Sequence, residues 1–503
     1  MILINPVAQD RMGMISRYSA TSVPMSVGIL AGYLLAKGKQ VKIVDELINP
    51  IEECLDDIDN YVKGLNKPYI FGISCLTINI GRSYRIAKLL KTRYPDAKII
   101  LGGIHVTALP EEALANKDID IVVRGEGEET LLLLYDAIKN NEDYSHIAGL
   151  SFRKNGNIIH NPNRPLIQDL DTIPRFPYEL FDADKYDIGF ALSSRGCPYD
   201  CAFCSQKIIS GRSHRFASCE SVVVTLDLLI NKYNQQSIGF FDDNFLVNKE
   251  RVRLLCKLIV RNGLNTKAKF SCQTRADNVD KEILGCLKEA GFSNIGLGME
   301  TGSERLMKIL NKGETVKDNI TAVKLIQSMG FDVSCFFLFG APSETKEERF
   351  ETYQIAKELK LDYAKFNNIV PYPATALLEM AKKEGTLTIS ENWENFNSVE
   401  GVVKGVFSKA KLPYVPVGTT EKELRKDLVR ANLYFYLWHL SSLFTLKKGN
   451  PGWFILPKKW YLNPKELFYL LIMAIKVAFN CLIVFNLRWF IKGLFRKKLI
   501  EQL

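Results

Sequence analysis

The amino-acid sequence predicts an α/β protein: a doubly wound, Rossmann-like domain, then six βα units, then a mainly helical C-terminal region. Two series of short apolar strands, each alternating with helical segments, carry this prediction. A stretch rich in Pro, Asn and Asp separates the two series and indicates a linker. The expected boundaries are 1–143 for the first domain, 144–187 for the linker, 188–385 for the βα units and 386–503 for the C-terminal region.

The first series predicts a parallel sheet. Strands are expected at 2–5, 41–45, 69–74, 98–101 and 119–123, and helices near 27–36, 51–62, 81–92 and 128–139. Strands joined by helices of this length form right-handed βαβ units, and the ligand of such a sheet binds at the carboxyl ends of its strands. No GxGxxG motif follows the first strand, which argues against a nicotinamide dinucleotide.

The second series predicts a second parallel sheet. Its strands are expected near 189–193, 237–241, 269–273, 294–299, 332–338 and 363–368. Six βα units are too few for a closed eight-stranded barrel, but the chemistry of barrel-like sheets also lies at the carboxyl ends of the strands. Residues that follow these six strands are therefore the candidates for a functional site.

Three thiols follow the first strand of the second series, at Cys197, Cys201 and Cys204. Three thiolates on a tight loop can bind three irons of a four-iron, four-sulfur (4Fe–4S) cluster and leave the fourth iron open. A structural zinc site usually takes four protein ligands, and His214 is the one nearby candidate for the fourth. We expect the cluster, with a zinc loop or buried thiols as the alternatives.

The spacing of these cysteines, with Phe203 before the last one, resembles the signature of radical S-adenosylmethionine (SAM) enzymes. In that superfamily the open iron chelates the amino and carboxylate groups of SAM. One electron from the cluster then cleaves SAM to methionine and a 5′-deoxyadenosyl radical. The resemblance implies a 4Fe–4S cluster, SAM as cofactor, and a partial (β/α)6 barrel, which the six predicted βα units fit.

Polar and small residues follow four of the barrel strands, where this resemblance places SAM. They are Asp242 and Asp243, Arg275, Glu300 and Thr301, and Gly340 and Pro342, in strand order. Carboxylates there can accept hydrogen bonds from the SAM ammonium group, and Arg275 can pair with the SAM carboxylate. The alternatives are helix caps for the acidic and hydroxyl residues, and an ion pair of Arg275 with Asp277 or Asp243.

The first domain resembles that of cobalamin-dependent radical SAM enzymes, which include class B methyltransferases and the anaerobic magnesium-protoporphyrin monomethyl ester cyclase. The residues that carry this resemblance are Gly102, Gly103, His105, Gly125, Glu126 and Gly127. Glycines at the ends of the fourth and fifth strands leave room for a large flat ligand, and the family binds its corrin ring there, facing the cluster. His105 is expected to contact the corrin, or else to be a turn residue satisfied by backbone.

One position departs from the pattern of many cobalamin domains. These carry Asp-x-His-x-x-Gly after the second strand, with the histidine bound to cobalt, whereas here Asp45 is followed by Leu47 at the histidine position. An axial histidine from that loop is therefore excluded. The cobalt then carries water or no protein ligand, or the domain has kept the fold and lost the corrin.

The resemblance implies an enzyme that cleaves SAM reductively and, with cobalamin, methylates or cyclises an unactivated carbon of a lipophilic or secondary-metabolite substrate. Methyl transfer is favoured because it is common in the family. No catalytic acid or base is assigned, because the cofactors carry the radical chemistry. An external reductant such as flavodoxin or ferredoxin is implied. The alternatives are an enzyme that has lost cobalamin and a non-catalytic iron–sulfur protein.

Composition and the C-terminal segment predict where the protein acts. The chain opens on a strand, without a secretory signal, and its cysteines show no disulfide framework, so we expect a cytoplasmic protein. A net charge of +10 gives little support for nucleic-acid binding. Residues 467–485 are almost all apolar, but Lys476 disfavours crossing a bilayer. With the basic run Arg496, Lys497 and Lys498, this tail predicts peripheral contact with the inner face of the membrane, or alternatively a helix buried against the barrel.

Overall fold

The computed structural model describes residues 1–7, 21–384, 387–398 and 410–443, with six separate helical positions at Pro464, Phe468, Leu471, Ile472, Ile475 and Phe479. Most of the tail, including Lys476 and the basic run at 496–498, lies outside these described residues. Among the described helices, none combines the length and the apolar composition that a membrane span requires.

The first sheet contains the five parallel strands that the sequence predicts. They are β1 (Ile2–Asn5), β2 (Lys42–Asp45), β3 (Ile70–Ser74), β4 (Lys98–Gly102) and β5 (Ile121–Val123). Their order in the sheet is β2-β1-β3-β4-β5. Strands β1, β3, β4 and β5 are mostly buried on both faces, as expected of a parallel sheet covered by helices, whereas the edge strand β2 begins with two partly exposed residues.

Helices cover both faces of this sheet and make it doubly wound. They are α1 (Met25–Ala36), α2 (Leu55–Lys63), α3 (Ile80–Arg93), α4 (Ile104–Ala108), α5 (Pro110–Ala115) and α6 (Glu128–Asn140). Helices α1 and α6 form one core with the sheet, and α2 to α5 form the other. The predicted fold of this domain is confirmed.

The segment predicted as a linker contributes two strands to the first sheet. Strands β6 (Leu150–Lys154) and β7 (Asn157–His160) form a hairpin that extends the sheet beyond β5 in antiparallel orientation. The prediction of a linker over 144–187 is wrong for this hairpin. Its turn is Asn155-Gly156, with φ values of 51° and 81°. An Asn-Gly pair between two strands is a strong hairpin signal, because both residues tolerate positive φ.

The second sheet has six parallel strands, as the sequence predicts. They are β8 (Phe190–Ala191), β11 (Ser237–Phe240), β12 (Lys269–Thr274), β13 (Phe292–Glu300), β14 (Asp332–Phe339) and β15 (Tyr363–Asn368), in the order β15-β14-β13-β12-β11-β8. Two short strands, β9 (Ser194–Arg195) and β10 (Arg215–Phe216), pair separately. Because β8 and β15 do not pair with each other, the sheet is a partial barrel.

Eight helices of the described chain belong to the partial-barrel domain. They are α7 (Lys207–Ser210), α8 (Cys219–Asp227), α9 (Lys249–Arg261), α10 (Lys281–Glu289), α11 (Glu304–Ile309), α12 (Val316–Ser328), α13 (Lys346–Glu358) and α14 (Ala376–Glu384). Helices α8 to α13 begin at side-chain caps, namely Ser218, Asn248, Asp280, Ser303, Thr315 and Thr345. Each cap accepts a hydrogen bond from the backbone N–H three residues on, which fixes where the helix starts.

A long helix, α15 (Glu421–Leu443), covers the edge strand of the barrel. The Asn432 side chain accepts a hydrogen bond from the Phe366 N–H at 3.1 Å and donates to the Phe366 carbonyl at 2.8 Å. This amide therefore takes the place of a neighbouring strand beside β15. Covering an edge in this way removes unpaired backbone groups that would otherwise invite pairing with another chain.

Candidate active site between the two sheets

The loop after β8 carries three thiols at the carboxyl edge of the second sheet. They belong to Cys197, Cys201 and Cys204, each partly exposed. The loop is anchored to two helices. The Ala202 N–H donates to the Leu310 carbonyl at 2.8 Å, and the Ala202 carbonyl accepts from the Leu377 N–H at 2.9 Å. The sulfurs are therefore fixed in position and remain accessible to a ligand.

The donor set fits an iron–sulfur cluster with one open iron. Burial raises the pKa of the Cys204 thiol to about 11 and also raises the pKa of Cys201. A bound metal deprotonates such thiols. His214, the fourth ligand of the zinc alternative, lies beside Phe216 with 6.0 Å between ring centroids. Within the described ranges, no three His, Cys, Asp or Glu side chains are grouped to hold a single metal ion.

Arg275 lies against the cysteine loop and is almost fully buried. Its Nε and Nη2 donate to the two carboxylate oxygens of Asp277, at 3.1 and 2.8 Å. The guanidinium stacks on the Tyr199 ring at 3.6 Å, and its Nη1 lies 3.8 Å from the Cys201 sulfur. Of the partners that the sequence left open for Arg275, the structure shows the ion pair with Asp277.

A second buried cation, Lys312, was not singled out by the sequence. Its Nζ lies 2.9 Å from the Glu300 carboxylate and 3.8 Å from that of Glu314. Burial opposes the charge of Lys312, but the two carboxylates outweigh this effect and raise its pKa. Lys312 lies in the loop after α11. It contacts Glu300, at the end of β13, because that loop folds back toward the carboxyl ends of the strands. No local pattern in the sequence signals this pairing.

A cavity of about 390 Å³ lies between the first sheet and the cysteine loop. Its walls on the first domain include Gly102, Gly103, Gly125, Glu126 and Gly127, which are the predicted cobalamin residues except His105. The second domain contributes Arg195, Gln206, Ile209, Ser210 and Asp243. Residues that follow strands of both sheets thus enclose one space, and most of its lining is apolar.

The glycines in the cavity wall allow close backbone packing and leave space at Gly125, which fits a large flat ligand such as a corrin. At Gly125, with φ of 74°, no atom beyond the adjacent residues lies within 4 Å of the place where a Cβ would stand. Gly103 has φ of 109°, and a Cβ there would lie 2.6 Å from the Cys75 carbonyl oxygen. The backbone just after β3 therefore excludes a side chain at Gly103. The glycine lets the two backbone segments pack closely at the cavity wall.

Two family models match this chain. The Radical SAM superfamily model matches residues 192–356, and the B12 binding domain model matches residues 14–134. An uncharacterized methyltransferase of Pyrococcus horikoshii is 33% identical over 423 residues, which cover 83% of this chain and 88% of the relative. The chain belongs to the cobalamin-dependent radical SAM enzymes. The anaerobic magnesium-protoporphyrin IX monomethyl ester cyclase of Rubrivivax gelatinosus is 28% identical across 76% of this chain and 70% of the relative.

Solved structures share the fold of this radical SAM enzyme. The methyltransferase TsrM from Kitasatospora setae, with cobalamin and a [4Fe-4S] cluster bound, has a TM-score of 0.65 at 19% identity, covering 85% of this chain and 84% of TsrM. The cobalamin-dependent enzyme OxsB has a TM-score of 0.69 at 18% identity, covering 96% of this chain and 72% of OxsB. The family uses a 4Fe–4S cluster, SAM and cobalamin, and a small-molecule substrate is consistent with it.

The adjacent carboxylates predicted to contact SAM differ in their surroundings. Asp242 is buried and accepts hydrogen bonds from the Ser193 N–H at 3.1 Å and from the hydroxyls of Ser193 and Ser194 at 3.0 and 2.5 Å. All three bonds end on Oδ1 and hold the start of the cysteine loop, whereas Oδ2 has no partner among the described residues, so the SAM contact of Asp242 stays a prediction. Asp243 lines the cavity and accepts from the Gly196 N–H at 2.9 Å.

The other residues predicted to contact SAM also differ in their surroundings. Thr301 is buried with its hydroxyl 3.3 Å from that of Thr352 on α13, so the prediction of a SAM contact for it is corrected. Gly340 has φ of 91°, and its N–H donates to Glu344 at 2.5 Å. Gly340 and the buried Pro342 lie just beyond the carboxyl end of β14, where their contact with SAM stays a prediction.

His105 does not face the cavity. Its Nδ1 lies 3.3 Å from the Thr77 hydroxyl and its Nε2 lies 3.4 Å from the Glu112 carboxylate. The ring packs at 5.6 Å from the Trp393 ring, and the side chain is fully buried. The prediction of a corrin contact for His105 is therefore wrong, because distant side chains satisfy both ring nitrogens.

Glu126 joins the two domains at the cavity wall. Its carboxylate pairs with Arg215 at 2.9 Å and with Arg195 at 3.2 Å, and it accepts a hydrogen bond from the Ile167 N–H at 2.9 Å. Burial opposes ionisation of Glu126, but its arginine partners outweigh this effect and lower its pKa. Arg195 also pairs with Glu128 at 2.7 Å. The sequence identified Glu126 but missed both arginines, which lie in the other domain.

The loop after β2 lies away from the cavity. Asp45 accepts hydrogen bonds from the Asn5 amide at 2.8 Å and from the Tyr186 hydroxyl at 2.9 Å. Neither Asp45 nor Leu47 is among the residues that line the cavity. The Tyr186 bond ties this loop to the segment before the barrel.

Proposed function

We propose that this enzyme transfers a methyl group from SAM to an unactivated carbon of a small molecule. The cavity carries the proposal, because residues of both sheets enclose it beside the cysteine loop. The Pyrococcus horikoshii relative is named a methyltransferase, as is the cytidylyl-2-hydroxyethylphosphonate methyltransferase of Streptomyces wedmorensis, which favours methyl transfer. Ring closure is the second candidate, supported by the relatives that are named cyclases.

The residues of the chain hold and orient the cofactors in this proposal. Cys197, Cys201 and Cys204 bind three irons of the cluster, and the glycine-lined cavity takes the corrin ring. When bound, the cluster supplies the electron that cleaves SAM, and cobalamin carries the methyl group. Asp243 hydrogen-bonds to Gly196 next to the first cysteine and also faces the cavity. Asp243 thereby links the position of the cysteine loop to that of the cavity wall.

SAM is proposed to bind at the carboxyl ends of β11, β13 and β14. The residues that remain candidates are Asp242, Asp243, Glu300, Gly340 and Pro342. Glu300 is held in a left-handed backbone conformation with φ of 60°, and its carboxylate is fixed by Lys312. Non-glycine residues in that conformation are costly and cluster at functional sites, which supports Glu300 as a ligand-facing residue.

The substrate is proposed to enter the inner face of the partial barrel. Phe336 and Leu338 of β14 lie on the face opposite the buried core and pair with Lys365 and Asn367 of β15. No carboxylate of the described chain pairs with Lys365, and burial lowers the pKa of its ammonium. An apolar substrate with one acidic group would satisfy both the apolar side chains and this cation.

Peripheral membrane contact through the tail and reduction by flavodoxin or ferredoxin belong to the same proposal. At the described tail positions, Phe468, Leu471, Ile475 and Phe479 are each more than half exposed. Their spacing of three or four residues places them on one face of a helix. An apolar face followed by basic residues suits the surface of an anionic membrane, where a lipophilic substrate would be available.

The function is tested by reconstituting the protein anaerobically with iron, sulfide and cobalamin. We expect reduced protein to convert SAM to 5′-deoxyadenosine and to transfer a deuterated methyl group from SAM to the cobalamin. Replacing Cys197, Cys201 and Cys204 together by Ala should abolish iron binding and SAM cleavage. A full cluster in that variant would refute the ligand assignment. SAM cleavage without methyl transfer to cobalamin would favour ring closure.

The membrane proposal is tested by flotation with vesicles that contain anionic lipid. The full-length protein should float at low salt, and a chain truncated before Pro464 should not. Neutral vesicles serve as the control for the basic residues. Equal flotation of the two chains, or none of the full-length protein, would contradict the role of the tail.

A further inference from the structure

Arg275 stands out because one guanidinium contacts a carboxylate, an aromatic ring and a cysteine of the cluster loop. It follows β12 at the carboxyl edge of the barrel, and only 5% of the residue is exposed. Nε and Nη2 donate to Asp277, Nε also lies 3.8 Å from the buried Glu314 carboxylate, and the flat face of the guanidinium stacks on the Tyr199 ring. These contacts leave Nη1 directed at the Cys201 sulfur, 3.8 Å away.

We propose that Arg275 sets the reduction potential of the cluster by donating a hydrogen bond to the Cys201 sulfur. The inference rests on the proposed binding of the cluster by Cys197, Cys201 and Cys204. Reduction adds one electron, and so one negative charge, to the cluster, without making or breaking a bond in the protein. A low-potential one-electron donor outside the chain supplies that electron.

The physical reason is that a fixed cation stabilises the more negative of two redox states. Hydrogen bonds to the ligand sulfurs and the net charge nearby are among the factors that set the potentials of iron–sulfur clusters. An arginine stays protonated at any pH that the protein survives, so its charge is constant. Burial strengthens the interaction, because little water screens the charge.

The surrounding contacts indicate that Nη1 is positioned and not incidental. The bidentate pair with Asp277 fixes the plane of the guanidinium. Stacking on the Tyr199 ring fixes the distance between the guanidinium and the cysteine loop. Tyr199 is itself held by a hydrogen bond from its hydroxyl to Asn278 at 3.0 Å. The other buried cation, Lys312, has its Nζ bound to Glu300. Lys312 also acts on Cys201 through its charge, but within the described residues Arg275 is the cation that donates a hydrogen bond to the Cys201 sulfur.

The experiment measures the midpoint potential of the reconstituted cluster without SAM. Wild type, R275M, R275K and R305M are titrated anaerobically with dithionite, and the reduced cluster is followed by electron paramagnetic resonance. Iron content and circular dichroism are recorded for each protein. Arg305 on helix α11 is the matched control, because it also pairs with a carboxylate, that of Glu348, but its side chain is about half exposed.

The expected potential of R275M is more negative than that of the wild type. R275K should lie between them, since it keeps a cation but lacks the geometry of the guanidinium. R305M should match the wild type. Wild-type potentials in both R275M and R275K at full iron content would overturn the inference. So would folded Arg275 variants that hold no cluster, since that would show a role in cluster retention. A wild-type protein that takes up no cluster would instead refute the proposed function.

Discussion

Two neighbouring residues at one strand end have different surroundings. Asp242 is buried beneath the cysteine loop and bound by two serines, whereas Asp243 faces the cavity. One of two adjacent carboxylates can therefore hold a loop in place while the other faces a ligand site. Burial raises the pKa of Asp242 to about 6, from an ordinary value of 3.8. That shift gives the folded protein a pH dependence that belongs to this one residue.

The sign of that dependence follows from which state ionises first. The unfolded chain loses the Asp242 proton near pH 4, and the folded chain loses it only near pH 6, so this residue makes stability fall as pH rises between them. Through Asp242, the wild-type protein should lose roughly 3 kcal/mol of unfolding free energy over that window. Asp242→Asn should not show this loss, because an amide does not ionise. Urea unfolding of the apo protein from pH 4 to 7 measures it. Parallel pH profiles for the two proteins would show that Asp242 does not titrate in this range.

At the scale of single elements, short local patterns explain why the hairpin and the barrel helices start and stop where they do. The Asn155-Gly156 turn forms because both residues adopt positive φ, and the barrel helices begin at polar caps. The edge strand β15 depends on a contact that is distant in sequence, since Asn432 of α15 binds the backbone of Phe366. The boundaries of these elements are therefore determined by nearby residues, whereas the exposed edge of the sheet is covered by a helix that is distant in sequence.

The hairpin makes a direct test at this scale. Gly156→Ala should destabilise the protein by about 1–2 kcal/mol, because an L-residue is strained at φ of 81°. Gly285 in the middle of α10 is the matched control, and an alanine there has no atom within 4 Å of its Cβ. Gly285→Ala should instead stabilise by up to about 1 kcal/mol. Urea unfolding midpoints of the apo proteins decide this, and a neutral Gly156→Ala would contradict the proposed turn geometry.

At the scale of the whole molecule, buried ion pairs between the domains shape the cavity. Glu126 follows the last parallel strand of the first sheet, and its partners Arg195 and Arg215 flank the cysteine loop of the barrel. The cavity needs both walls, so its dimensions depend on how the two sheets are held. Breaking a buried pair leaves an uncompensated charge, which costs about 3–5 kcal/mol.

We therefore expect Glu126→Gln to weaken cobalamin binding by about tenfold or more, equivalent to at least about 1.4 kcal/mol of binding free energy. Glu129→Gln is the matched control, because its pair with Arg164 lies outside the cavity lining and its side chain is about half exposed. Spectral titration with hydroxocobalamin under anaerobic conditions gives both dissociation constants. Equal affinities in the two variants would show that the interdomain pairs do not set the cavity.

The sequence by itself determined the two series of βα units, the three cysteine ligands proposed for the cluster and the glycines that line the cavity. These features are local, because the periodicity of apolar residues indicates a helix or a strand, and the spacing of the cysteines indicates a ligand-binding loop. Position at a strand end also brings residues to one edge of a sheet, which is why Gly102, Gly125 and Asp243 were predicted near a ligand.

Only the tertiary structure decided which side chains face that ligand. His105 is turned toward Trp393, Thr301 toward Thr352, and Arg275 toward Asp277 and the Cys201 sulfur. A polar side chain is satisfied by whichever donor or acceptor packing brings within hydrogen-bond distance, and most of these partners lie far away in sequence. Orientation is therefore a property of the assembled core, whereas the list of candidates is a property of the chain.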